Sequence, residues 1–95
     1  MDINKMMARA QKMQAEIDKQ EKLFDEEVFS FEKQGIILKV KGSLEIILLE
    51  VDEILIDPDD KETLQDLIII TINQAINEIS LKKQAIRDKI TQSMV

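Results

Sequence analysis

The hydrophobic period of this chain changes twice, and those changes decide what it can fold into. From Ile3 to Phe24 the pattern steps by three and four: Ile3, Met6, Ala10, Met13, Ile17, Gln20, Phe24. That is one face of an amphipathic α-helix, close to a coiled-coil seam, with Gln20 its one polar member. No glycine or proline precedes Gly35, so a helix is expected over about residues 3–25, capped by Asp2. The next stretch, EVFSFEKQGIILKVKGSLEIILLEV from Glu27 to Val51, is rich in β-branched and aromatic residues and holds the only two glycines, Gly35 and Gly42. Glycine accepts the positive φ of tight turns. Three strands fit, over about 27–33, 36–41 and 44–51, and their short spacers require antiparallel pairing. The helical period then returns behind Asp57-Pro58-Asp59-Asp60. Asp57 reads as the N-cap, Pro58 as the first helical residue, and Asp59 and Asp60 as acids facing the positive helix end. The order is α-β-β-β-α, an α+β fold with a three-stranded antiparallel sheet flanked by N- and C-terminal helices, spanning residues 1–95 as a single domain.

The apolar residues exceed what such a unit can cover. In the third strand Leu44, Ile46 and Leu48 are expected on one face and Ile47, Leu49 and Val51 on the other, whereas a sheet with one wet face alternates cleanly. On the last helix Ile68, Ile72, Ala75, Ile76, Ile79, Ile86 and Ile90 fall on one stripe, while Leu67, Ile70 and Leu81 lie well off it. A chain of 95 residues buries only roughly 60–68% of the surface its unfolded form exposes. It has no cysteine and no histidine, which removes disulfides, thiolate metal sites and the commonest metal ligand and general base. Joining with a second copy is the remaining way to cover the surplus, so a homodimer is expected. Residues 91–95, TQSMV, are expected to fray.

Charge excludes a general affinity for polyanions but not a local one. The net charge is −6. Residues 45–66 hold nine acids and one base, a net of −8, while residues 1–22 carry +1 and residues 67–95 carry +2. Apolar runs such as IILL at 46–49 are far shorter than the ~20 residues of a membrane span. The N-terminus shows no signal-peptide pattern, so a cytoplasmic location without membrane association is expected. No Ser-His or Cys-His pair, phosphate-cradling glycine loop or HExxH occurs, and no catalysis, cofactor, metal or small-molecule substrate is expected. A calcium loop beginning at Asp57 would need glycine at its sixth position and glutamate at its twelfth, where Glu62 and Ile68 stand; helix capping accounts for these acids better.

Three stretches together resemble the YbaB/EbfC family of small bacterial nucleoid-associated proteins. They are the Met/Gln-rich opening MDINKMMARAQKMQAEIDKQEKLF, the glycine-flanked GIILKVKG, and DKETLQDLIIITINQAINE with Leu64, Asp66, Leu67, Ile68, Asn73 and Ala75. The resemblance spans nearly the whole chain. It departs from the family in having Gly35 alone before the second strand and no Gly/Pro-rich segment after the last helix. It implies a nucleoid-located homodimer that binds double-stranded DNA without cofactor or catalysis.

Against that resemblance the bases acquire a candidate role. Lys5, Arg9, Lys12 and Lys19 fall within an arc of about 80° on the first helix at ~100° per residue, interrupted by Glu16. Lys82, Lys83, Arg87 and Lys89 lie within eight residues of the last helix. Bases strung along a helix can each neutralise a phosphate. A plain alternative stands beside this for each group: lysine fills any solvated helix face, and cations near a helix C-terminus offset its dipole. With neither Trp nor Tyr, and Phe24, Phe29 and Phe31 expected in the core, stacking on single-stranded bases is not expected. Asn73, Gln74 and Asn77 read as polar groups near the packed helix or a dimer contact, so little sequence specificity is expected. The competing reading is a protein-interaction module whose acidic middle region meets a basic partner, with no DNA role.

Overall fold

The Asp2 carboxylate accepts from the Asn4 N–H at 3.0 Å, and from that cap helix α1 runs Ile3–Glu26. The computed structural model describes residues 2–93. Strands β1 (Val28–Lys33), β2 (Ile36–Lys41) and β3 (Ile46–Val51) follow, then helix α2 (Lys61–Ser93). The sheet is antiparallel in the order β1-β2-β3, so the α-β-β-β-α order and the α+β class stand as the sequence implies. Thr91–Ser93 are helical; Met94 and Val95, where the expected fraying also falls, lie outside the described residues.

The two glycines serve different ends. Gln34 and Gly35 have φ of 46° and 96°, the pair of positive values that a two-residue type I′ hairpin demands. Gly42 has no positive φ, against expectation. It is needed because α1 crosses there: a Cβ at Gly42 would fall on the carbonyl oxygen of Phe24 and within 2.6 Å of Phe24 Cδ1. The buried Gly42 N–H donates to the Glu27 carbonyl at 2.9 Å, which pins the end of α1 to the β2–β3 turn. The positive φ in that turn belongs instead to Leu44, at 73°, which costs a branched side chain about 1–2 kcal/mol. Leu44→Asn, better suited to this region, should raise stability by about 0.5–1 kcal/mol, seen as a higher midpoint in urea unfolding.

Both helices lie on one face of the sheet. Phe24 of α1 and Ala75 and Ile79 of α2 close over Leu38 and Val40, with Phe29, Phe31, Ile72 and Ile86 around them. The Phe24 and Phe29 rings are 5.2 Å apart. Along β2, buried Ile36, Leu38 and Val40 alternate with more exposed Ile37, Lys39 and Lys41. Cross-strand register puts Leu49 and Val51 of β3 opposite Leu38 and Ile36, and a shift between Lys39 and Val40 brings Ile46 opposite Val40. Ile46 therefore shares a face with Leu49 and Val51 rather than with Leu48, because the irregularity breaks strict alternation. β3 is an edge strand with Ile46, Ile47 and Leu49 all exposed.

α2 begins three residues later than the sequence implies. Asp57–Asp60 form a turn closed by Asp60 N–H to Asp57 C=O at 3.0 Å, with Pro58 at its second position, a placement its fixed φ favours. Asp60 is the cap: its carboxylate accepts from the Thr63 hydroxyl at 2.7 Å and the Thr63 N–H at 3.4 Å. The buried stripe is also rotated. Leu67 is buried, while Ile76 is 42% exposed. Thr71, buried at the centre, satisfies its hydroxyl on the Leu67 carbonyl at 2.6 Å. The first half of α2 meets the sheet and the second half meets α1, so a single straight stripe averages two different contacts.

Candidate nucleic-acid interface

α1 and α2 run antiparallel and out of step. Ile17 and Phe24 are the buried residues of α1, and α2 reaches its last described residue, Ser93, beside Glu16 and Gln20, which line one groove with Ile86, Lys89 and Ile90. Residues 3–12 of α1 are therefore exposed throughout and project as an arm. The result is a rod of 70 × 18 × 14 Å with a radius of gyration of 19.4 Å, against about 12 Å for a compact chain of this length.

The arm carries three of the expected bases, Lys5, Arg9 and Lys12, all exposed. Helical rise spaces them ~6 and ~4.5 Å apart along the axis, so the three span ~10 Å, comparable to three phosphates of one DNA strand at ~3.4 Å each. Lys19 continues the same face where α1 packs on α2. Among the described residues none of these four is in an ion pair. Asp2 is the one acid in the first fifteen residues, so the arm is locally cationic.

The bases of α2 are placed differently. Lys83 Nζ pairs with Asp25 Oδ1 at 3.2 Å, and Arg87 Nε with Glu21 Oε1 at 3.2 Å; both bonds tie α2 to α1. Lys82 Nζ sits 4.9 Å from the centre of the Phe29 ring, a cation–π contact. Lys89 is exposed beside the Glu16 groove. Among the described residues no base falls in the last turn of α2, where the helix dipole would favour one. The partners of Lys83 and Arg87 lie on α1, far away in the chain, and sequence spacing carries no signal for them.

At the far end of the rod the charge reverses. Residues 52–66 hold seven acids and Lys61, a net of −6, and line two open grooves around Pro58. Among the described residues no group of three or more acids could hold a metal ion, and no helix is long and apolar enough to cross a membrane.

Fold and charge define the class: a small α+β protein built on two long helices, with an exposed cationic arm at one pole and acids at the other. Residues 1–94 match the family model of the YbaB/EbfC DNA-binding family. A nucleoid-associated protein of Mycoplasmopsis pulmonis is 38% identical over 90 residues, 95% of this chain and 90% of the relative. One from Ureaplasma urealyticum is 40% identical, covering 90% of this chain and 88% of its own length. One from Metamycoplasma arthritidis is 36% identical over the full length of both. The chain belongs to the YbaB/EbfC DNA-binding family.

Proposed function

We propose that this protein is a nucleoid-associated homodimer of the bacterial cytoplasm that binds duplex DNA through its cationic helices with little sequence preference, and that it is not an enzyme. The observation that carries the reading is the arm: Lys5, Arg9 and Lys12 are exposed, on one helix face and without acidic partners among the described residues. Lys19, Lys82 and Lys89 extend the contact, while Lys83 and Arg87 contribute less because Asp25 and Glu21 offset their charge. The acidity of the whole chain does not oppose this strongly. The poles are tens of ångströms apart along a 70 Å rod, and charges separated by more than ~8–10 Å are largely screened at physiological salt. Dimerisation covers the exposed apolar residues of β3 (Ile46, Ile47, Leu49) and α2 (Ile69, Ile70, Ile76) and doubles the number of bases facing DNA.

Two unrelated duplexes, titrated in gel shifts at two salt concentrations, test the reading. Both should shift with similar affinity, and a fourfold rise in salt should weaken binding by about 40-fold for three phosphate contacts and by more for a dimer. Absence of any shift at low salt, with capture of a basic protein instead, would favour the acidic pole as an interaction module. Sedimentation should find dimers at micromolar concentration; isolated subunits there would remove the dimer from the reading.

A further inference from the structure

The two flanks of the helix pair differ in charge. Ile17 and Phe24 of α1, with Ile86 and Ile90 of α2, mark the line along which the helices meet. At ~100° per residue, Glu16 and Gln20 fall on one side of that line and Glu21 and Asp25 on the other. The contacts agree. Glu16 and Gln20 line one groove with Lys89 and Ser93, whereas Glu21 and Asp25 pair with Arg87 and Lys83. Carried out along the arm, the same angles put Lys5, Arg9 and Lys12 at ~70–130° from the line on the Glu16 side, and Asp18 on the Asp25 side. Lys19 and Lys22 lie on the outer back of α1. Over residues 3–25 and 83–93 the groove flank therefore sets four bases, Lys5, Arg9, Lys12 and Lys89, against the single acid Glu16. The other flank sets Lys83 and Arg87 against Asp18, Glu21 and Asp25. Toward the sheet, Glu26 and Glu27 line the next hollow and end the cationic flank.

We propose that duplex DNA lies along the groove flank alone, and that Glu16, the one acid on it, holds the affinity down. The proposal rests on the DNA reading above and says which side of the rod that reading uses. Among the described residues Lys5, Arg9, Lys12 and Lys89 are in no ion pair, so phosphates on the groove flank meet bases that are free to receive them. On the other flank the acids of α1 already neutralise Lys83 and Arg87. Glu16 is one helical turn from Lys12 and shares its groove with Lys89, so a backbone that bridges these two bases passes over its carboxylate. That carboxylate is held in place: Gln20 Nε2 donates to Glu16 Oε1 at 3.0 Å, and among the described residues no base pairs with it. A fixed, unpaired negative charge between two phosphate-binding bases repels what they attract. If the net charge of −6 alone governed approach, removing any acid would help equally; a one-sided surface confines the gain to Glu16.

Fluorescence anisotropy of a labelled duplex, titrated with the full-length protein, tests this. Glu16→Gln keeps an acceptor for Gln20 and should tighten binding about three- to fivefold, the effect of removing one unit charge a few ångströms from a phosphate in water. Lys89→Gln should weaken binding several-fold and lower the salt slope by roughly 0.9. Glu21→Gln with Asp25→Asn removes twice the negative charge and releases Arg87 and Lys83. It should still leave affinity within about twofold, because the rod is 14–18 Å across and the Debye length is ~8–10 Å. Circular dichroism melts confirm that each variant folds. Tightening in the Glu21 and Asp25 variant equal to that of Glu16→Gln overturns the one-sided surface, and unchanged affinity in Glu16→Gln overturns the role of its carboxylate. Failure of the unaltered protein to bind at low salt removes the DNA reading itself, an outcome seen before any variant is compared.

Discussion

Gly42→Ala is expected to be the most damaging single substitution in this protein, lowering stability by more than about 3 kcal/mol. The added methyl would overlap the Phe24 carbonyl oxygen and sit 2.6 Å from Phe24 Cδ1. Neither atom can yield cheaply. The carbonyl belongs to the last turn of α1 and accepts from the Glu27 N–H, while the ring is 4% exposed and packed against Leu38, Val40, Ala75 and Ile79. Relief requires α1 to lift from the sheet, which breaks the Gly42 N–H bond to Glu27 and opens the core. Ordinary overpacking costs about 1–3 kcal/mol, and contact with backbone belongs at or above the top of that range. The midpoint of thermal unfolding should fall by more than ~12 °C at ~4–8 °C per kcal/mol for a chain of this size. Gly35→Ala gives a graded comparison. There the new Cβ meets the flexible end of Leu55 at 3.0 Å, and the main penalty is the φ of 96°, about 1–2 kcal/mol. A Gly42→Ala protein no less stable than the Gly35→Ala protein would show that α1 does not cross the β2–β3 turn this closely.

Reversing three charges on the arm, Lys5→Glu with Arg9→Glu and Lys12→Glu, should reduce DNA affinity about a hundredfold or more at physiological salt. The salt slope should fall by roughly 2.7, or about 0.9 for each phosphate that is no longer neutralised. The weakening should be alike on all duplexes, because phosphate contacts carry no sequence information. Folding should be unaffected: residues 3–12 are exposed, and a glutamate in the first turn favours the helix dipole. Lys83→Gln with Arg87→Gln should behave in the opposite way. It breaks two ion pairs between the helices, each worth about 0–1 kcal/mol in partly exposed surroundings, and should lower stability slightly with a smaller effect on DNA. Quantitative gel shifts and urea unfolding on both variants separate the roles. Unchanged DNA affinity in the arm variant would move the interface off α1.

Local chemistry determined the elements. Apolar spacing specified α1 to within a residue, because helical period and the Asp2 cap act over a few neighbouring positions. The Gln34-Gly35 turn and the antiparallel order follow from short spacers that admit no crossover. The exposed bases of α1 were legible for the same reason: a helix face is a matter of spacing. Most of what the sequence left open was decided by contacts between distant segments, and one point by a local turn bond. Asp57-Pro58 suits a helix start and a turn equally well, and the bond from Asp60 to Asp57 settled it as a turn. Isoleucines surround the first half of α2, and only docking on the sheet showed that Leu67 and Thr71 face inward while Ile76 faces out. Lys83 and Arg87 look like Lys5 and Arg9 in a string of letters, yet Asp25 and Glu21, brought beside them by the antiparallel packing of α1 on α2, make them ties between helices. Gly42 offers no local reason to be glycine. Its reason is the backbone of Phe24, which only the folded chain places against it.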